Sequence, residues 1–163
     1  MPYWAFAWPG GQVLARFLLD QPQWVRGRRV LDFGSGCALE GLAAALQGAS
    51  VLCADLDPQA AGLARRNAQA NGVTVETTTE DLLGRDVDAE VILAGDACYE
   101  PALAQRVLPW LTAQAARGVR VLVGDPLRVP GALDGARRLS TYDASFDGDP
   151  RGLTVWPTHV LTL

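Results

Sequence analysis

The sequence predicts an α/β fold: a doubly wound, mostly parallel sheet that finishes in a C-terminal antiparallel hairpin. Three observations carry this. Short β-branched or leucine-rich runs alternate with alanine-rich stretches of helical spacing as far as residue 125, the pattern of parallel strands joined by crossover helices. Beyond residue 135 two strand-like runs follow each other, joined by the turn-rich "FDGDPRG", which fits a hairpin. Finally, "GSG", "DLD", "GDACYE" and "GDP" all fall at the carboxyl ends of predicted strands, where open parallel sheets place their ligands.

Taken in order, "WAFAWPGG" sets Trp4, Phe6 and Trp8 at alternate positions, as in a strand-like segment docked on a core. A helix follows, with Val13, Leu14, Phe17 and Leu18 on one face. The first strand is "RRVLDF" and the second "SVLCAD", with a helix between them over Leu39 to Gln47. The next helix spans Pro58 to Ala70, and the third strand is "VTVETT". Pro58 suits the first helical turn, and Asp57 is placed to cap it. "AEVILAG" and "VRVLVGD" are the fourth and fifth strands, flanking a helix from Pro101 to Arg117. "ARRLSTYDAS" and "GLTVWPTHVLTL" make the hairpin.

At 163 residues the chain reads as a single domain. Residues 1–28 form an aromatic segment and helix, 29–124 the sheet core and 125–163 the part with the hairpin. No run is long enough to span a bilayer and no signal-peptide layout stands at the N-terminus, so the expected location is cytoplasmic. Cys37, Cys53 and Cys98 form no CxxC and have no histidine nearby, which argues against a metal site or a disulfide framework. All fourteen basic residues are arginine, and the net charge is −4. That balance disfavours stable nucleic-acid binding and suits a cationic partner.

At the first strand end, "VLDFGSGC" runs into Gly34-Ser35-Gly36, a turn that a ligand can approach closely. It does not extend to GxGxxG, which lowers the expectation of a bound pyrophosphate. Asp55 ends the second strand and is positioned for the hydroxyls of a ribose; a helix cap is the alternative, although Asp57 fills that role better. Asp81, after the third strand, either accepts from an adenine amino group or is a solvated loop acid. A parallel sheet ending in a hairpin is not the usual nicotinamide-binding arrangement.

These features resemble a seven-stranded, Rossmann-like S-adenosyl-L-methionine-dependent methyltransferase, and "DLDPQAAGLARRNAQANG" is similar to the segment after its second strand. "PYWAFAWPGGQVLARFLLD", "VRGRRVLDFGSGCA" and "GDACYE" narrow the likeness to the electron transfer flavoprotein β-subunit lysine methyltransferases. These belong to a group with D-x-x-Y after the fourth strand, here Asp96-Ala97-Cys98-Tyr99. The similarity runs from Pro2 to about Pro126 and is patchier through the hairpin; members of that family usually carry a further N-terminal segment. It implies S-adenosyl-L-methionine as cofactor, bordered by Trp8, Asp32, Gly34, Ser35, Gly36, Asp55, Leu56, Asp81 and Asp96. It also implies Asp96 and Tyr99 as catalytic residues and a protein partner presenting a lysine, with the flavoprotein β-subunit as the expected substrate.

A lysine amine has a free pKa near 10.4, so neutralising it at pH 7 costs about 4.6 kcal/mol. Asp96 is expected to dock the amine and, by accepting one N–H, to aim its lone pair at the methyl group. Tyr99 either offers its ring or hydroxyl to the amine or is an aromatic lid on the sheet end. Glu100, beside Pro101, favours a helix N-terminus. Asp125 in "GDP" either adds negative potential at the mouth or starts a turn, and His159 reads as a satisfied sheet histidine. The other readings are a small-molecule amine methyltransferase, a nucleic-acid methyltransferase and a cofactor-binding module without turnover.

Overall fold

A proline opens three of the helices. In the computed structural model, which describes residues 2–145 and 155–163, α1 (Pro9–Asp20), α3 (Pro58–Ala70) and α4 (Pro101–Ala116) each begin on one. The missing N–H costs nothing at that position, because the first-turn donors have no partner within the helix. Asp57 caps α3 as expected, its Oδ1 accepting the Gln59 N–H at 2.8 Å. The remaining helix, α2 (Leu39–Leu46), is short and almost wholly apolar. The five parallel strands are β1 (Arg29–Phe33), β2 (Ser50–Ala54), β3 (Glu76–Thr78), β4 (Val91–Gly95) and β5 (Arg120–Asp125). Then come β6 (Arg137–Ala144) and β7 (Trp156–Thr162).

The sheet order is β3-β2-β1-β4-β5-β7-β6, so the last strand inserts between β5 and β6 and pairs antiparallel with both. The predicted seven-stranded sheet with a terminal hairpin is therefore present, while the "FDGDPRG" connection lies outside the described residues. Strand alternation distributes the core over both faces. Val91, Leu93 and Leu122 point to the side covered by Leu14 and Phe17 of α1, Leu42 of α2 and Ala64 of α3. Ile92, Ala94, Val121 and Val123 point to the side covered by Val107, Trp110 and Leu111 of α4.

Two expectations need correcting. The segment before α1 is a 3-10 turn over Tyr3–Ala5, not a strand; Trp8 stacks on Tyr3, with ring centroids 5.9 Å apart. The third strand begins only at Glu76, because Val73 and Val75 pack against the core instead of extending the ladder. His159 accepts its sheet role, with Nδ1 2.9 Å from Thr141 Oγ1. Cys53 and Cys98 are buried and Cys37 is half-buried, all three free.

The strand order reverses direction between β1 and β4, and a crevice opens there beyond their carboxyl ends. The N-terminus of α1 closes one side of it. A Cβ on Gly10 would stand 2.1 Å from the Gly124 carbonyl oxygen, so helix and strand end touch through bare backbone. This contact explains Gly10 of "WPGGQ", while a Cβ on Gly11 would meet the Glu40 carboxylate at 2.8 Å.

Candidate active site

At the end of β1 the chain turns through Gly34 and Gly36, with φ of +69° and +49°. The Gly34 and Ser35 N–H groups donate to the Ala54 carbonyl at 2.9 and 3.0 Å, which ties the turn to β2. Asp55 tightens it further: Oδ2 accepts the Gly36 N–H and Oδ1 the Asp57 N–H, each at 2.9 Å. Both oxygens keep a lone pair for a ligand.

Two adjoining cavities, about 350 and 320 Å³, share Gly34, Asp55, Gly95, Asp96 and Tyr99. Tyr3, Trp4, Trp8, Gly36 and Arg128 complete the larger one. Phe33, Leu56, Asp81, Leu82, Leu83 and Leu103 are among the residues of the other, whose apolar walls suit a flat ring. Asp81 is exposed there, its Oδ1 accepting the Leu83 N–H at 3.0 Å. Ser35 borders a small recess beside the larger cavity, together with Trp8 and Glu40. Of the residues expected to border the cofactor or the amine, Asp32 is the one that reaches none of these spaces. It is fully buried, Oδ2 accepts the Gly41 N–H at 3.1 Å, and burial together with Glu40 holds its carboxyl well above the usual range.

Asp96 stands in the left-handed region, φ +51°, its N–H donated to the Gly124 carbonyl at 2.8 Å. Its Oδ2 accepts the first-turn N–H groups of α1, from Gly10 at 2.5 Å and Gly11 at 3.3 Å, where the helix favours negative charge. Its Oδ1 pairs with Arg128 Nη1. Asp96 borders both cavities yet is buried and held from three directions. Burial pushes its carboxyl up, against Arg128 and the two N–H groups, which favour the charge. The Arg128 guanidinium in turn lies 4.9 Å from the ring centroid of Trp156 and 6.0 Å from that of Trp8.

Three further acids crowd this end of the sheet. Glu40, in the first turn of α2, is buried between Gly11 and Gly95 and is pushed up to about 7 by burial and by Asp96. Asp125 is pushed up to about 6 for the same two reasons. Its Oδ1 accepts the Leu127 and Arg128 N–H groups, so the turn reading of "GDP" holds. Tyr99 is half exposed at the mouth, and Glu100 stands at the start of α4 without a side-chain capping bond.

Sequence reasoning missed Arg128, Trp156 and Glu40. A lone carboxylate in the otherwise apolar octet "LEGLAAAL" was a usable signal for Glu40. Arg128 had none, because its partners lie far away in the chain. Among the described residues no His, Cys, Asp and Glu cluster could hold a metal, and no helix is long and apolar enough to cross a membrane.

Residues 14–95 match the family model described as ribosomal protein L11 methyltransferase (PrmA). The electron transfer flavoprotein beta subunit lysine methyltransferases of Xenopus laevis and Danio rerio are 46% and 44% identical over 131 residues, 78% of this chain. That match takes in 53% and 51% of their own lengths, so the chain spans about half of these relatives. Magnesium protoporphyrin IX methyltransferase from Synechocystis PCC 6803, solved with bound SAM, shares the fold. Its TM-score is 0.63 at 17% identity, covering 93% of this chain and 77% of that one.

Proposed function

The chain belongs to the ribosomal protein L11 methyltransferase family, and from that premise we propose that it is an S-adenosyl-L-methionine-dependent protein-lysine N-methyltransferase whose substrate is the β-subunit of electron transfer flavoprotein. One observation carries the reading. The glycine turn with Asp55 and the Asp96–Tyr99 pair border the same two cavities, so groups suited to a nucleoside and groups suited to an amine meet in one space. The names of the 44–46% identical relatives supply the substrate.

The residues fit that cofactor. Asp55 keeps acceptor capacity for two ribose hydroxyls, the side chains of Phe33, Leu56 and Leu103 offer apolar walls for the adenine, and Asp81 has an oxygen for its amino group. Gly34 leaves open space where a Cβ would stand, beside Trp8 and the backbone of Gly36, for the amino-acid portion. When bound, the cofactor supplies an electrophilic methyl group on a sulfonium.

The protein's own part is to bring a neutral amine to that methyl in line. Asp96 accepts one amine N–H and so directs the lone pair away from itself. Tyr99 and Tyr3 line the approach for the aliphatic stem, which is apolar up to the head. Water expelled from the apolar mouth strengthens these contacts, and the departing proton goes to solvent before the stem closes the entrance.

The test is transfer of labelled methyl to purified flavoprotein β-subunit, with wild type beside Asp96→Ala. Label mapped to lysine, lost in the variant while S-adenosylhomocysteine still binds, is the expected result. Label in RNA or in small amines from the host lysate, with none in the flavoprotein, would overturn it.

A further inference from the structure

We propose that Arg128 is a positioning residue for the methyl acceptor: by neutralising Asp96, it makes the pocket receive the target lysine as a free amine instead of an ammonium ion. The inference rests on the lysine-methyltransferase reading above and deepens it.

The geometry argues for a permanent pair. Arg128 and Asp96 are 17% and 8% exposed at the side chain, so the contact is shielded from solvent. The guanidinium carbon lies over the rings of Trp156 and Trp8, and the backbone N–H of Arg128 is tied to Asp125 Oδ1 at 3.3 Å. Asp96 Oδ2 is occupied by the N-terminus of α1. The cavity therefore meets a carboxylate whose charge is already balanced but whose oxygens still have lone pairs to share.

A bare buried carboxylate would serve the reaction badly. It would bind an ammonium strongly, and the stronger that attraction, the more firmly the nitrogen keeps the proton that blocks its lone pair. With Arg128 in place the carboxylate can still orient an N–H, while the guanidinium disfavours a second cation beside it. The surrounding charges do not supply this service. Glu40 from α2, Asp125 from β5 and Asp55 after β2 are all acids, Tyr3 and Tyr99 at the mouth are phenols, and Arg106 of α4 borders the adjoining cavity but not the one that Arg128 lines. Among the described residues that line the larger cavity, Arg128 is the cationic side chain.

The chemistry balances without another reactant. The ammonium gives its proton to water on entering, and the amine nitrogen forms a bond to the methyl carbon as the carbon–sulfur bond breaks. The bonding pair stays on sulfur, leaving a neutral thioether, and the new methylammonium loses its proton to water afterwards.

The test compares wild type, Arg128→Gln and Arg128→Lys in kcat and KM for the flavoprotein β-subunit from about pH 6.5 to 10. A unit charge several ångströms from an amine, at an effective dielectric constant of about 20, moves its pKa by roughly one to two units. Arg128→Gln is expected to shift the alkaline-rising limb of kcat upward by that much. At pH 7.5 kcat then falls roughly ten- to hundredfold with KM equal or lower, and Arg128→Lys restores most of the limb. Faster turnover of Arg128→Gln with an unmoved limb would overturn the proposal and make Arg128 a plug. Equal losses at every pH would also overturn it, leaving only a structural role.

A second measurement does not depend on turnover or on the flavoprotein. n-Butylamine is titrated calorimetrically into protein saturated with S-adenosylhomocysteine, in buffers of different ionisation heat, to count protons released. Wild type is expected to release close to one proton per amine bound near pH 8, and Arg128→Gln markedly less. Equal release by both sinks the proposal even if wild type methylates the flavoprotein. Absence of methyl transfer to the flavoprotein, with this difference intact, instead sinks only the choice of substrate.

Discussion

Glu40→Gln isolates the effect of one buried acid on stability. The carboxyl rises from 4.5 to about 7 through burial, with Asp96 adding to it. A group whose folded pKa is raised favours folding below its unfolded pKa, and that contribution is lost as pH climbs to the folded value. Here the window runs from about 4.5 to 7. The shift corresponds to about 3 kcal/mol, most of which falls between pH 5 and pH 8. A glutamine cannot ionise, so its stability lacks this slope. Urea unfolding of both proteins at pH 5 and pH 8, with unchanged m-values, reads the difference directly. The variant is expected to gain roughly 2 to 3 kcal/mol on wild type in going from the lower pH to the higher. A difference that stays constant across the two pH values would refute the placement of a raised carboxyl between Gly11 and Gly95.

Gly10→Ala drives a Cβ into the Gly124 carbonyl at 2.1 Å, with backbone on both sides, and should cost about 3 kcal/mol or more in thermal or urea melts. Gly11→Ala meets only the end of the Glu40 side chain and should cost clearly less in the same melts. Asp55→Ala is expected to weaken S-adenosylmethionine binding at least tenfold by calorimetry, because a buried polar ligand group loses its acceptor. Asp57→Ala, two residues on, removes only the α3 cap; it should lower stability by about 1 kcal/mol and leave that affinity unchanged.

What could be read from the sequence was local. Pro58 and Pro101 mark helix starts because the proline ring fixes φ and lacks an N–H, a property of one residue. Asp55 and Asp96 sit at strand ends, and strand ends follow from where an apolar run stops. The hairpin was legible from its turn chemistry, but not the insertion of β7 beside β5, because hydrogen-bond pairing across a sheet leaves no mark in either strand alone. Nor was the state of Asp96. Its partners Gly10, Gly124 and Arg128 lie on α1, at the end of β5 and just beyond it, and only the folded chain brings them to Asp96. Val73 and Val75 read as strand by propensity, yet packing against the core took precedence.

The backbone contact between Gly10 and Gly124 has a consequence for the order of assembly. The ligand-bearing end of the sheet is sewn shut by residues from near both extremities of the described chain: Trp8 to Gly11 on one side, Arg128 and Trp156 on the other. During synthesis β1 can pair with β2, and β4 with β1, while the later strands are still unmade. The pocket wall cannot form then, since the loop closure it needs spans more than a hundred residues, from Gly10 to Gly124. A chain halted before β5 would hold the nucleoside-side turn and Asp55 but lack Gly124 and Arg128, so the proposed amine side would be completed last.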